Sequence, residues 1–146
     1  MPVPGKRKSP KDIALQWVEK GDPDGFSIDM YGFKGRGIKT LIGRDRGELL
    51  LHYTGEKISG DEGERRERRK STGYRFFFDS NGQKLCVDAS KESGRLGRLV
   101  NHGNKKEANS FMKHVDGHLF IFALRKYKPF APQFSETDNT SLEVGG

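Results

Sequence analysis

The sequence predicts a mainly β fold made of many short strands. Short runs of apolar and aromatic residues recur along the chain, and clusters of Gly, Asn and Asp separate them roughly every 8–12 residues. Helical patterns number two at most. A chain of 146 residues with 32% hydrophobic residues is of ordinary size for one domain with a modest core.

The first 25 residues predict a tail, a helix and a turn. Residues 1–8 are basic and contain prolines, and we expect them to be disordered. Ser9 and Pro10 form a helix start, as N-cap and first helical residue. Lys20 and Gly21 end that helix, so residues 9–25 are predicted to be a flanking helix and turn.

In the central part of the chain, the sequence pattern predicts seven strands and two hairpins. Asn81-Gly82 and Asp116-Gly117 are dipeptides that favour tight turns between antiparallel strands. The predicted strands are 26–31, 38–42, 48–53, 74–78, 85–87, 111–115 and 118–122.

Residues 58–70 predict a charged helix. Glu64 and Arg68 stand four residues apart, in the order that favours a side-chain pair. The basic run within 64–70 is typical of a solvated helix face, and the alternative is a nuclear-import or phosphate-binding patch.

Charge and cysteine content narrow the function classes. A net charge of +7 favours anionic partners such as nucleic acid or nucleosomes. Cys86 is the only cysteine, which excludes an intrachain disulfide and a cysteine-based zinc site. His114 and His118 flank a turn, so we expect no metal site there. No apolar run reaches membrane length.

Residues 94–104 combine Gly, Arg, Asn and His in one short segment. Glycine suits places where the backbone passes close to another group. Asn101 and His102 offer both donors and acceptors to a ligand. We expect a closely packed loop that aims these two side chains at a site; the alternative is an ordinary surface loop.

Six pieces follow one another along the chain: Lys34-Gly35-Arg36-Gly37, Gly47 to Tyr53, Gly55, Tyr74, Val87-Asp88-Ala89 and Arg98 to His102. In this order they resemble one family, the SET-domain lysine methyltransferases. The most specific piece is the Asn-His pair in an Arg-Leu-Val-Asn-His context. Within the family, the span 13–125 resembles the branch that monomethylates lysine 20 of the histone H4 tail.

The resemblance implies a compact, mostly β SET fold over residues 26–125. Its Asn-His loop would be threaded beneath a C-terminal segment in a pseudoknot. S-adenosyl-L-methionine would bind on one face, and the substrate lysine would enter from the opposite face through a narrow channel. The implied setting is the nucleus and chromatin, with the H4 tail of the nucleosome as substrate, non-specific DNA contact, no membrane and a monomeric chain.

The resemblance also assigns roles to individual residues. Lys34, Gly35 and Arg36 would border the methionine end of the cofactor, where a cation offsets its carboxylate. Tyr74 would contact the cofactor, and Asn101 and His102 would hydrogen-bond it. Tyr53 would line the lysine channel, where its hydroxyl accepts from the amine.

The resemblance ends after about Arg125. The family continues with Gly-Glu-Glu-Leu and Tyr-Asp-Tyr, whereas this chain continues with Lys-Tyr-Lys-Pro-Phe. We therefore predict a divergent, disordered tail over 126–146, an incomplete pseudoknot and weak or absent activity. The alternatives are a non-catalytic SET-like module that binds nucleosomes or histone tails, and a basic nucleic-acid-binding domain that stacks bases on Tyr74, Phe76 and Phe78.

Overall fold

The computed structural model describes residues 10–103, 108–127 and 142–145. Two helices and ten strands lie within these residues, and most strands are three to six residues long. In chain order they are α1 (Pro10–Lys20), β1 (Phe26–Met30), β2 (Arg36–Thr40), β3 (Leu49–Tyr53), β4 (Glu56–Ser59), α2 (Gly60–Arg69), β5 (Arg75–Ser80), β6 (Gln83–Asp88), β7 (Asn101–Gly103), β8 (Ser110–Val115), β9 (His118–Ala123) and β10 (Glu143–Gly145). The predicted mainly β class is confirmed.

The strands form three small sheets around a shared core. Strands β1 and β2 pair as a hairpin, β4-β6-β5 form a three-stranded sheet, and β3-β9-β8-β10-β7 form a five-stranded sheet. The buried core combines side chains of the five-stranded sheet, such as Leu51 and Ile121, with Ile38 of β2 and Val87 of β6. The core therefore joins all three sheets.

Both predicted hairpins are present. Strands β5 and β6 pair from Arg75↔Asp88 to Ser80↔Gln83, and β8 pairs with β9 as far as Val115↔His118. The turn residues Asn81, Gly82, Asp116 and Gly117 all have positive φ, as tight turns of this kind require.

The two helices lie on different parts of the molecule. Helix α1 buries Ala14 against Phe120 and Phe122 of β9. Helix α2 begins after Ser59, whose side chain accepts a hydrogen bond from the Glu62 amide at 3.1 Å. Of the helices described, none combines the length and apolarity needed to cross a bilayer.

The structure corrects the prediction for the start of the second helix. The residues just before the helix form strand β4, which pairs with β6 from Glu56↔Asp88 to Ser59↔Leu85. Pairing with a strand some 30 residues away overrides the local helix pattern, because it satisfies backbone groups that a longer helix would leave on the sheet edge.

The structure also corrects the prediction of a disordered tail. Tyr127 is buried, and its backbone pairs with that of Arg44. Strand β10 inserts between β7 and β8 and runs parallel to both, so the C-terminal segment does cover the Asn101-His102 strand. The apolar side chains of Leu142 and Val144 explain this docking, since both are fully buried. Residues 1–9, which include the predicted N-cap Ser9, and residues 128–141 and 146 of the predicted tail lie outside the described residues.

Candidate functional site

The Lys-Gly-Arg-Gly stretch forms the tight connection between β1 and β2. A 3-10 turn at Gly32–Lys34 is closed by a hydrogen bond from the Tyr31 amide to the Gly35 carbonyl at 2.9 Å. Gly35 has φ +74°, a backbone conformation that favours glycine. The turn projects Lys34 and Arg36 from the end of the hairpin toward the Asn101 strand.

One cavity of about 360 Å³ brings together five of the six residues predicted to bind the cofactor. Its volume is within the range of about 300–1,000 Å³ typical of small-molecule sites. It is lined by Lys34, Gly35, Arg36, Thr72, Gly73, Tyr74, Arg98, Leu99, Val100 and Asn101. Residues distant in sequence therefore share one concave site.

Lys34 and Arg36 bring positive charge to this cavity, and each has an acidic partner. The Lys34 ammonium lies 2.9 Å from Oε1 of Glu143, on strand β10. Arg36 donates both terminal nitrogens to Glu92, at 2.8 and 3.3 Å. A ligand carboxylate that binds Lys34 or Arg36 therefore competes with an acidic side chain of the protein.

Arg98 is a cavity residue to which sequence reasoning assigned no role. Its guanidinium lies 4.2 Å above the Tyr74 ring and donates to the Ala89 carbonyl at 2.8 Å. It also donates to Glu92 at 2.5 Å, so Glu92 bridges Arg98 and Arg36. The signal was present in the sequence, because Arg98 stands within the glycine-rich segment that leads to Asn101.

Asn101 is held close to the hairpin by a glycine. A Cβ atom at Gly37 would lie 2.9 Å from Nδ2 of Asn101 and 2.7 Å from the Tyr31 ring, so a larger residue would displace both. The Asn101 Nδ2 atom is buried and has no hydrogen-bond partner among the described residues. A donor in this state favours a ligand acceptor at the site. Together with the neighbouring cations, this donor fits a ligand that carries a carboxylate and a hydrogen-bond acceptor, as the amino-acid end and the adenine of an adenosyl amino acid do.

His102 follows Asn101 on strand β7, in register with Val144 of β10. Its side chain lies outside the described part of the chain, so its predicted role stays a prediction. The preceding segment is packed closely, as the sequence indicates, because a Cβ atom at Gly97 would collide with the His52 carbonyl. This close approach fixes the segment against β3.

Tyr53 is a core residue that is bonded to Tyr74 of the cavity lining. It is 2% exposed, and its hydroxyl donates to the Tyr74 carbonyl at 3.1 Å. Burial raises the pKa of this phenol above its ordinary value, so it stays protonated at neutral pH. Tyr53 also lines a second cavity of about 260 Å³ with His52, Lys57 and His118, among others. Tyr53 therefore lines the second cavity and is hydrogen-bonded to a lining residue of the first.

Three further observations concern metal binding, base stacking and the last tyrosine of the chain. Within residues 10–103, 108–127 and 142–145, no group of three His, Cys, Asp or Glu residues is placed to hold a metal. Phe76 and Phe78 pack against the core, and Arg98 covers the Tyr74 ring, which disfavours base stacking on these aromatics. The Tyr127 hydroxyl donates to the Asn109 carbonyl at 2.7 Å.

Comparison with known proteins identifies the domain. Residues 35–131 match the SET domain family. The N-lysine methyltransferase KMT5A-B of Xenopus laevis is 33% identical over 115 residues, which are 74% of this chain and 34% of the relative. The histone-lysine N-methyltransferase set-1 of Caenorhabditis elegans is 34% identical over 101 residues, 64% of this chain and 42% of the relative. The chain thus spans about a third of the length of the first of these.

Solved structures agree with the sequence relatives. CpSET8 from Cryptosporidium superposes with a TM-score of 0.67 at 22% identity, covering 99% of this chain and 68% of that one. A Polycomb Repressive Complex 2 structure bound to S-adenosylmethionine gives 0.64 at 25% identity over 92% of this chain and 16% of that one. The family match, the relatives and the fold lead to one conclusion: the chain belongs to the SET-domain family of protein-lysine methyltransferases.

Proposed function

We propose that this chain transfers a methyl group from S-adenosyl-L-methionine to a lysine of the histone H4 tail, with lysine 20 as the target by resemblance. The observation that carries the proposal is the cavity shared by Lys34, Gly35, Arg36, Tyr74 and Asn101. The similarity to KMT5A-B and set-1 supports the same reaction class.

The chain's own residues divide the task between binding and alignment. Lys34 and Arg36 attract the carboxylate of the bound cofactor, and Asn101 offers an amide donor. When bound, S-adenosylmethionine supplies an electrophilic methyl group. Holding two reactants in line is itself a large source of acceleration.

Tyr53 orients the substrate amine in this proposal. Its proton is engaged with the Tyr74 carbonyl, so its oxygen lone pairs remain to accept from the amine. A free lysine ammonium has a pKa near ~10.4 and must lose a proton before attack. A nearby cation and apolar surroundings both favour that loss.

We propose that the site acts on nucleosomes in the nucleus, with the chain as a monomer. The net charge of +7 supports an anionic partner. Three exposed cations at the end of α2, Arg68, Arg69 and Lys70, form no ion pair with the rest of the described chain. They are the surface we propose for non-specific DNA contact.

A non-catalytic binding module remains the second candidate, and a specific observation favours it. The family's Tyr-Asp-Tyr segment is absent, and the last tyrosine of the chain, Tyr127, is engaged with the Asn109 carbonyl. We propose that Tyr127 therefore offers no hydroxyl to the reacting amine. We propose that transfer is slower for this reason.

Transfer of a labelled methyl group to recombinant nucleosomes tests the function. We expect measurable transfer that Tyr53→Phe lowers by about 10²-fold, because an oriented hydroxyl is lost. Tyr127→Phe is the matched control, since it removes a buried hydroxyl outside the cavity. Cofactor and nucleosome binding without transfer would establish the binding module instead.

A further inference from the structure

Strand β10 carries an acid, Glu143, that contacts Lys34 of the cofactor cavity and that the sequence did not predict as a site residue. The Glu143 side chain is 4% exposed and lies 2.9 Å from the Lys34 ammonium, whose side chain is 32% exposed. Glu143 stands beside Asn101 in the parallel register of β10 and β7. The acid therefore stands next to two residues of the cavity lining, Lys34 and Asn101.

The backbone of Glu143 is fixed from both sides. Its amide donates to Oδ1 of Asn109 at 2.8 Å, and its carbonyl accepts from the Asn109 amide at 3.1 Å and from the Ser110 hydroxyl at 2.9 Å. Asn109 and Ser110 are buried. The main chain that carries the carboxylate is consequently held by the sheet, independently of the ion pair with Lys34.

Stability alone is a weak explanation for this pair. Removing the Glu143 carboxylate from water is costly, and its partner Lys34 stays partly exposed, so this pair is weak evidence for a stabilising role. Its place beside two cavity residues suggests recognition instead. An α-amino acid carries an ammonium and a carboxylate on adjacent atoms, and Glu143 and Lys34 present the complementary charges.

We propose that Glu143 is a binding residue for the α-amino-acid end of the cofactor. Its carboxylate accepts from the ligand ammonium, while Lys34 donates to the ligand carboxylate. The internal ion pair is exchanged for two pairs with the ligand, so the charge balance of the site is kept. This inference rests on the proposed function.

Calorimetry with two ligands separates this inference from the proposed function. S-adenosylhomocysteine carries the amino-acid end, and methylthioadenosine lacks it. We expect Glu143→Gln to weaken binding of S-adenosylhomocysteine about tenfold, the loss of one charged hydrogen bond. Methylthioadenosine should bind the variant and the original protein equally, which also reports that the cavity is intact.

Glu48→Gln is the matched control, because Glu48 pairs with Arg44 at 3.1 Å and neither lines the cavity. Glu143→Asp shortens the reach but keeps the charge, and should weaken S-adenosylhomocysteine alone by less than Glu143→Gln. Unchanged or tighter binding of S-adenosylhomocysteine to Glu143→Gln overturns the inference, the latter making Glu143 a competitor for Lys34. If the original protein binds neither ligand, the result contradicts the proposed function and with it this inference.

Discussion

Two buried carboxylates, Asp88 on β6 and Glu143 on β10, stand in contrasting surroundings. Asp88 accepts from Arg66 and Arg75 at 3.0 Å each and from the Ser90 amide at 3.0 Å. Glu143 contacts Lys34, a residue of the cavity wall. Both side chains are less than a tenth exposed. Burial is the same, but the partners differ in kind.

The difference lies in what each acid connects. The partners of Asp88 come from helix α2, strand β5 and the segment after β6, so the carboxylate joins three pieces of the fold. Burial raises the pKa of Asp88, but hydrogen bonds from Ser90, Arg66 and Arg75 outweigh it and hold the pKa well below its usual range. Glu143 connects the C-terminal strand to the ligand cavity. One acid stabilises the fold, and the other serves the site.

The largest expected effect is the loss of stability when Asp88 is neutralised. Asp88→Asn removes the carboxylate that Arg66 and Arg75 share, although both arginines keep another acidic partner. Two charge-assisted hydrogen bonds of about 1.5–3 kcal/mol each are lost, so we expect a cost of about 3–5 kcal/mol in the free energy of unfolding, measured with denaturant.

Glu143→Gln is the comparison for that measurement. Lys34 is partly exposed and can be hydrated when its partner is removed, so we expect a cost below about 2 kcal/mol. Equal costs for the two variants would contradict the division between a structural acid and a site acid.

The dependence of stability on pH distinguishes Asp88 from a second buried group, His52. As the pH falls, the effect of His52 on stability is expected at higher pH than that of Asp88. Burial, Arg95 and His118 lower the pKa of His52 to about 4, opposed by Asp22. The unfolded chain then binds more protons, so stability falls as the pH drops from about 6.5 to about 4, by roughly 3 kcal/mol.

Denaturant unfolding at a series of pH values measures both groups. His52→Gln should remove most of the loss of stability above pH 4, because the pKa of His52 is about 4. The part that remains belongs to His118, whose pKa is also lowered by burial. The pKa of Asp88 is lowered in the folded state, so its contribution is present above its ordinary pKa of about 3.9 and is lost below it. Asp88→Asn should therefore flatten only the lower range. A single transition that neither variant alters would exclude these assignments.

The smallest expected effect concerns the cations of α2. Some of them are paired with an acidic side chain, and others are exposed without an ion pair among the described residues. Arg65 and Arg66 are paired with Glu62 at 2.6 and 2.8 Å, whereas Arg68, Arg69 and Lys70 are exposed. Replacing the latter three with alanine should make the salt dependence of duplex DNA binding shallower. The expected change in slope is about 0.9 for each DNA phosphate that is no longer neutralised, up to about 3 in total.

Arg65→Ala is the control for this measurement, because Arg65 is already neutralised by Glu62. We expect its log–log slope of affinity against salt to stay close to that of the original protein. A slope that changes equally for the control would assign DNA binding to overall charge instead of the helix end.

Local patterns predicted much of the fold. The Asn81-Gly82 and Asp116-Gly117 turns specify two hairpins, because these dipeptides tolerate positive φ where the strands reverse. The predicted start of α2 was wrong, since strand β4 is stabilised by pairing with β6 and not by its own residues. The tail prediction was wrong at Leu142 to Gly145 for the same reason.

The order of motifs along the chain also predicted which residues share a site. Lys34, Gly35, Arg36, Tyr74 and Asn101 line one cavity, as the family resemblance implies, although binding itself stays a prediction. Arg98 and Glu143 were not predicted as site residues. Arg98 acts by stacking on Tyr74, and Glu143 reaches Lys34 across 109 positions of sequence.

The sequence by itself determined the family, the hairpins and the residue types that meet at the cavity. Turn-forming dipeptides and the order of motifs can both be identified in the chain without knowing which residues are in contact. Only the tertiary structure decided which charges are neutralised and by which partner. The pairing of Lys34 with Glu143 and of Asp88 with two arginines depends on strands that meet from distant parts of the chain. Electrostatic interactions act through space over a few ångströms, and sequence separation carries no information about that distance.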